Sequence, residues 1–184
     1  MYKCGSIILL NNKKGIFPAL IRFFTHSKYT HNAITMGNII PKSESILTAE
    51  LLITVHPLQR YFEDPNYEFS IYEIQGIDEK DLETIVLDLY EKRVSRGYAF
   101  WQNLWFIYRR VAEKLGFDVR KQGNWFPKND NCSEETYDLI KMAAEKKNLT
   151  NLLCLLNEWN SNCFSPGDSN FIFNLFPDYF IKVK

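Results

Sequence analysis

GSIILL, at residues 5–10, is a short apolar run that follows a glycine. Consecutive apolar residues without polar alternation are typical of a strand buried in a core, so we predict a strand at Ser6–Leu10. Further strands are predicted at Asn32–Met36 and at about Ile46–Val55. A fourth is predicted at Tyr67–Ile74, where apolar and polar residues alternate. The N-terminal part of the chain is therefore predicted to form most of a β-sheet.

The second part of the chain has mainly helical patterns. Asp78 is a suitable N-cap for a helix with apolar residues at helical spacing, and Gly97 follows its expected end. Further helices are predicted at Phe17–Phe24, Tyr98–Leu115, about Cys132–Lys147 and Leu149–Trp159, with a turn at Ser165–Asp168 and a last strand at Tyr179–Val183. Strands followed by helices favour an α+β fold. We expect one domain over residues 1–184, with an antiparallel sheet or small barrel packed against helices.

The composition is that of a packed globular protein, with 46% hydrophobic and 15% aromatic residues. Lys and Arg together number 22, as do Asp and Glu, so the formal net charge is zero. A balanced charge gives no indication of a nucleic-acid partner. No apolar window has the length of a transmembrane segment or the features of a signal peptide, and we expect a cytoplasmic protein.

The four cysteines are Cys4, Cys132, Cys154 and Cys163. Without a secretion signal or a C-x-x-C pair, four free thiols are expected rather than disulfides. The cysteines have no neighbouring histidines at metal-ligand spacing, so neither a metal site nor another cofactor is predicted.

Cys132 lies at the predicted start of a helix. Free backbone N–H groups and the helix dipole stabilise a thiolate there, and the same groups can hold the oxyanion of an acyl-transfer reaction. The acidic residues Glu134 and Glu135 would oppose the thiolate if they turned toward it. The alternative interpretation of Cys132 is an ordinary buried cysteine.

A nucleophilic cysteine needs a base, and His31 is the candidate because it stands at the entry of a predicted strand. His26 lies in a loop, and His56 precedes a proline at a strand end. Glu50 is the acid within an otherwise apolar predicted strand and is the candidate for orienting the imidazole. The alternative is that Glu50 faces solvent.

Five stretches resemble, in order, the motifs of the circularly permuted NlpC-like papain-fold proteins known as the YiiX-like group. They are Gly5–Leu9, Ser27–Ile34, Ala49–Tyr61, Asn131–Glu134 and Ser165–Asp168. The family has in these places a Gly-Asp-Ile-Ile-Leu-like strand, a Ser-x-Tyr-Ser-His segment, a Glu-Ala segment followed by Pro-Leu-x-x-Tyr, a Cys-Ser-Glu helix start and a Pro-x-Asp turn. Ser6 replaces the usual Asp of the first motif, and the aromatic segment Tyr98–Phe126 has no counterpart that can be aligned.

The resemblance implies a papain-like fold and a cysteine peptidase or amidase. It implies Cys132 as nucleophile, His31 as base and Glu50 as the orienting residue, with Tyr29 beside the site as a possible substrate contact. The expected partner is a peptide, amide or acyl substrate, including cell-wall peptides. Two alternatives stay open. One is a lipid acyltransferase or thioesterase of the lecithin-retinol-acyltransferase-like type, whose Asn-Cys-Glu-His signature is not reproduced here; the other is a non-catalytic binding module.

Overall fold

The computed structural model describes residues 2–37, 39, 45–49, 53–94, 108–109, 111–119 and 132–184. Its strands form one sheet in the order β4-β3-β2-β1-β5-β6, and every neighbouring pair is antiparallel. The strands are β1 Ile7–Asn12, β2 His31–Thr35, β3 Ser45–Ala49, β4 Ile53–Pro57, β5 Tyr67–Ile74 and β6 Phe180–Lys182. Over the described residues the sheet is open, with β4 and β6 at its edges, so the small-barrel alternative is wrong and the antiparallel sheet is confirmed.

The central strand β1 is buried on both of its faces. Ile7 and Leu9 belong to one hydrophobic cluster, here called the large core, which also contains the buried side chains of the long helices. Ile8 and Leu10 belong to a second cluster, here called the small core, with Ala33, Ile46, Leu58, Tyr61 and Ile71. All four β1 side chains are 0% exposed. The predicted buried strand is therefore confirmed, and each of its faces has its own cover.

The helices are α1 Ile16–Thr25, α2 Gln59–Phe62, α3 Glu79–Arg93, α4 Glu134–Lys146, α5 Thr150–Leu156 and α6 Pro166–Leu175; residues 108–109 and 111–114 are also helical. Asp78 caps α3 as predicted, because its carboxylate accepts a hydrogen bond from the backbone N–H of Lys80. The buried sides of α3 and α4 both lie in the large core, so the α+β prediction is confirmed with these helices on one side of the sheet.

α3 and α4 run antiparallel to each other. Lys146, at the end of α4, pairs with Asp81 in the first turn of α3 at 3.2 Å. Arg93, at the end of α3, pairs with Asp138 in the first half of α4. The start of α4 therefore lies beside the end of α3.

Two local predictions are wrong. The single strand expected at Ile46–Val55 is instead the two strands β3 and β4, in which Ala49 pairs with Ile53. The turn expected at Ser165–Asp168 is the start of α6, where Ser165 and Asp168 form a reciprocal capping box and Pro166 occupies the first turn. Of the predicted helix Tyr98–Leu115, residues 98–107 and 110 lie outside the described residues.

None of the helices described is both long and apolar enough to cross a membrane.

Gly37 and Gly76 provide a matched test of backbone packing. Both have a positive φ, 52° at Gly37 and 72° at Gly76. A Cβ added at Gly37 would lie 2.6 Å from the Cβ of Cys4, whereas a Cβ at Gly76 would meet nothing within 4 Å. We expect Gly76→Ala to lower the free energy of unfolding by about 1 kcal/mol through backbone strain alone. Gly37→Ala adds a steric clash and should lower it by about 1–3 kcal/mol more.

Urea unfolding of the two variants measures this difference. Equal losses of stability would contradict the close approach of residues 37 and 4.

Candidate functional site

Cys132 lies two residues before α4, at the helix start where it was predicted. Its side chain is 6% exposed and belongs to the large core, and its Sγ lies 3.8 Å from the Oγ of Ser133. Glu134 and Glu135, in the first turn of α4, are both buried. The helix start favours a thiolate at Cys132, while burial and nearby carboxylates disfavour it.

Arg93 compensates part of this negative charge. Its guanidinium lies 3.6 Å from a carboxylate oxygen of Glu134 and also pairs with Asp138. The side chains of Arg93 and Glu134 are 13% and 3% exposed, so this interaction is only weakly screened by water. Arg93 therefore reduces the repulsion that Glu134 would exert on a thiolate at the start of α4.

His31 is the first residue of β2 and lies opposite Leu10 of β1. Its ring is half-buried, and its Nε2 forms a hydrogen bond with the Oγ1 of Thr48 on β3. The hydrogen-bond ladder is irregular here, because Leu10 O accepts hydrogen bonds at 2.7 Å from the backbone N–H of Thr30 and at 3.3 Å from its hydroxyl.

The strand register determines on which face of the sheet the His31 side chain lies. Residues directly opposite each other in an antiparallel pair have side chains on the same face of the sheet. His31 therefore shares the face of Leu10, in the small core, and Asn32 shares the face of Leu9, in the large core. Cys132 belongs to the large core, so the register directs His31 toward the face opposite the predicted nucleophile.

The two residues nevertheless lie toward the same end of the sheet. α3 begins near the start of β1, since a Cβ at Gly5 would lie 3.2 Å from Leu82. α4 is antiparallel to α3 and packs against β2, so its start lies toward the end of β1. Because β2 is antiparallel to β1, that is the end at which β2 begins, with His31.

Tyr29 is buried on the Cys132 side of the sheet. It belongs to the large core, and its hydroxyl donates a 2.8 Å hydrogen bond to the Oγ of Ser70 on β5. Burial, together with the neighbouring Tyr29, raises the pKa of Tyr72 to about 12. The structure thus brings Tyr29 into the same cluster as Cys132, and its predicted contact with substrate stays a prediction.

Glu50 lies outside the described residues. The strand that was expected to contain it is divided into β3 and β4, so the reasoning that put this acid within a continuous strand no longer applies. Its role as the orienting residue stays a prediction.

Sequence reasoning missed Asn32, a buried polar residue on the large-core face. Asn32 is 1% exposed, and its Nδ2 donates a 2.8 Å hydrogen bond to the Oγ of Ser169 in α6. Its Oδ1 has no hydrogen-bond partner within the part of the chain that the structure describes. A buried amide oxygen with no partner is suited to accept a hydrogen bond from a bound polar group or water. The sequence did contain a signal for this residue, because an asparagine within a predicted strand indicates a polar side chain that needs a partner if the strand is buried.

A second polar network joins residues 108–119 to the start of α6. Arg109 Nη1 and Nη2 contact the two carboxylate oxygens of Asp168 at 2.9 and 3.2 Å. The same guanidinium donates to Glu113 at 2.8 Å and to the carbonyl of Cys163 at 2.7 Å. Burial lowers the pKa of Arg109, but the carboxylates of Asp168 and Glu113 raise it by more. An open cleft of about 390 Å³ adjoins this network, lined by Arg109, Glu113, Gly116, Phe117, Asp118 and Trp159.

No group of three or more His, Cys, Asp or Glu side chains that could hold a metal ion occurs among the described residues.

Similarity to known proteins is found at the level of solved structures. No protein-family model matches the chain, and no curated protein matches it. Among solved structures it is similar to the metalloprotein YiiX from Escherichia coli O157:H7, described as DUF1105. The sequence identity is 18% and the TM-score is 0.45, and the match covers 66% of this chain and 71% of that protein.

The Arg109–Asp168 pair should stabilise the protein strongly. Each of the two side chains is 14% exposed, so removing one partner leaves a poorly hydrated charge. We expect Arg109→Met to lower the free energy of unfolding by about 3 kcal/mol. The matched control is Lys92→Met, which removes an exposed ion pair with Asp88 within α3 and should change stability by less than about 0.5 kcal/mol.

Urea unfolding of both variants tests the pair. A loss in Arg109→Met as small as that in Lys92→Met would show that the network does not hold residues 108–119 to α6.

Proposed function

We propose that this protein is a cysteine hydrolase with a papain-like fold that cleaves amide or peptide bonds. Cys132 attacks the carbonyl carbon, and His31 takes the thiol proton and returns it to the leaving amine. Water then hydrolyses the acyl-enzyme, and Glu50 orients the His31 ring. The observation that carries the proposal is the packing of α4 against β2, with Cys132 and His31 toward the same end of the sheet.

The start of α4 supports the role of Cys132. A thiolate at this position gains from the helix dipole, and backbone N–H groups at a helix start are suited to hold a developing oxyanion. The pairing of Arg93 with Glu134 removes part of the opposing charge. Tyr29 belongs to the same core cluster as Cys132, and in this proposal it contacts the substrate.

His31 must change its side-chain direction to serve as the base. In the conformation described, it is bound to Thr48 and shares the small-core face. The irregular ladder at Thr30 supports such a change, because extra residues at a strand end commonly redirect a neighbouring side chain. In the proposed mechanism, the His31 side chain leaves Thr48 and turns to the other face of the sheet, toward Cys132.

The second candidate is a non-catalytic binding module on the same fold. The register of β2 favours a binding module, because the register directs Asn32 rather than His31 to the face of the sheet that contains Cys132. In that case Cys132 is an inert core thiol.

Iodoacetamide labelling, followed for each cysteine by mass spectrometry across pH, distinguishes the two candidates. If Cys132 is the nucleophile, it should label with a midpoint well below the ordinary thiol value of about 8.5. His31→Ala should move this midpoint upward by about one pH unit or more, because the charge that stabilises the thiolate is lost. His56→Ala is the matched control, since His56 also bonds a threonine hydroxyl, that of Thr54 at 3.1 Å, and should leave the midpoint unchanged.

The other cysteines calibrate the same experiment. Cys154 is exposed and provides the reference profile. Burial and the nearby Glu83 raise the pKa of Cys4 to about 12, so Cys4 should stay unlabelled at neutral pH. An unchanged Cys132 profile in His31→Ala would reject His31 as the base. Slower labelling of Cys132 than of Cys154 at every pH would favour the binding module.

A further inference from the structure

Helix α1 turns its apolar stripe toward solvent. Ile16, Ala19, Leu20 and Phe23 follow the i, i+3, i+4, i+7 spacing that places side chains on one face of a helix. All four are exposed, with Ile16 at 76%, Leu20 at 40% and Phe23 at 66%. In an ordinary surface helix this stripe would face the core, so its outward direction needs a separate cause.

The opposite side of α1 is attached to the protein. Phe24 packs against Ala112, Val119 and Cys163, which form a small cluster of their own. Arg22 donates hydrogen bonds to the backbone carbonyl of Asn12 and, at 3.3 Å, to the Oδ1 of Asn11 at the end of β1. The helix is therefore held with its apolar stripe outward.

Both ends of α1 carry exposed basic residues. Lys14 precedes the helix, and His26 and Lys28 follow it. Residues 2–37 contain no Asp or Glu at all. Two acids on β5 form ion pairs with this region, Glu73 with Lys3 at 3.1 Å and Glu68 with Lys13 at 2.6 Å. Hydrogen bonds from Lys13 and Asn11, together with the charge of Lys28, hold the pKa of Glu68 below its usual value.

We propose that α1 is an interfacial helix that lies in the surface of an anionic lipid bilayer. An outward apolar stripe with lysines at its ends is the pattern of helices that bury one side at the boundary of headgroups and acyl chains. The stripe enters this boundary while Lys14 and Lys28 contact anionic headgroups. A second copy of the chain is the weaker occupant, because two such faces would bring their lysines together, and like charges across an interface oppose association.

This inference is independent of the chemistry at Cys132, since it rests on the exposed side chains of α1 and on the lysines at its ends. A protein that lacks hydrolase activity would still bind the bilayer by this helix.

Vesicle co-sedimentation tests the proposal with two lipid compositions, phosphatidylcholine alone and phosphatidylcholine mixed with phosphatidylserine. The wild-type chain should bind the mixed vesicles more strongly, and raised salt should weaken that binding. The double variant Leu20→Ser/Phe23→Ser should bind the mixed vesicles at least about tenfold more weakly. Lys14→Gln/Lys28→Gln should lose about fivefold per lysine on mixed vesicles and almost nothing on phosphatidylcholine.

Matched controls separate this effect from general changes in the surface. Leu87 on α3 is 40% exposed, as Leu20 is, so Leu87→Ser should bind as the wild type does. Lys80→Gln/Lys147→Gln removes two exposed lysines elsewhere and should also leave binding unchanged.

Three results would overturn the proposal. They are absence of wild-type binding to the mixed vesicles, full binding by Leu20→Ser/Phe23→Ser, and a dimer in sedimentation velocity that this double variant dissociates. The last result would assign the stripe to self-association.

Discussion

Burial of β1 on both faces is the constraint on which the rest of the structure depends. Ile7 and Leu9 need a cover on one face, and Ile8 and Leu10 need one on the other. The long helices α3 and α4 provide the first cover, and α2 with the aromatic side chains around Tyr61 provides the second. Strands that pair with β1 inherit this division, since each cross-strand neighbour shares a face with its partner. Every polar side chain on β2 is thereby assigned to one core or the other.

The side chains that face the candidate site therefore depend on the exact register in which β2 pairs with β1. Because side chains alternate along a strand, a shift of one position in β2 would exchange the faces of His31 and Asn32. The shift would also move Ala33 and Ile34 to opposite cores, where their sizes do not match the space, so the interior of β2 is firmly specified. Its first residue is different, because the Leu10 carbonyl that lies opposite His31 also accepts hydrogen bonds from Thr30. A change of side-chain direction at His31 would leave Ala33 and Ile34 in their respective cores.

Apolar runs and caps predicted most of the described elements, and the failures have identifiable causes. The segment Ile46–Val55 is apolar almost throughout, so no Gly, Pro or Asn marked the division between β3 and β4. The Ser165–Asp168 sequence is compatible with both a turn and a capping box, and only the following apolar residues, buried in the large core, select the helix. The start of α4 just after Cys132 was predictable from its acidic first turn. The face of the sheet that His31 occupies was not predictable, since it depends on the pairing of His31 with Leu10, in a strand that lies earlier in the chain.

The outward direction of the apolar stripe on α1 was likewise not predictable from the sequence. It connects the proposed hydrolase function with the proposed binding of α1 to a bilayer. Periodicity predicted an apolar helix at Phe17–Phe24, but it does not say whether the stripe meets the core or the solvent. α1 links the end of β1 to the start of β2, which is the end of the sheet where Tyr29, His31 and the start of α4 lie. A bilayer that receives the stripe would hold this end of the sheet close to the lipid. An activated Cys132 together with a lipid-bound α1 would therefore favour amide substrates located at the membrane over freely soluble ones, because the protein surface that reaches the membrane is continuous with the segment that leads into His31.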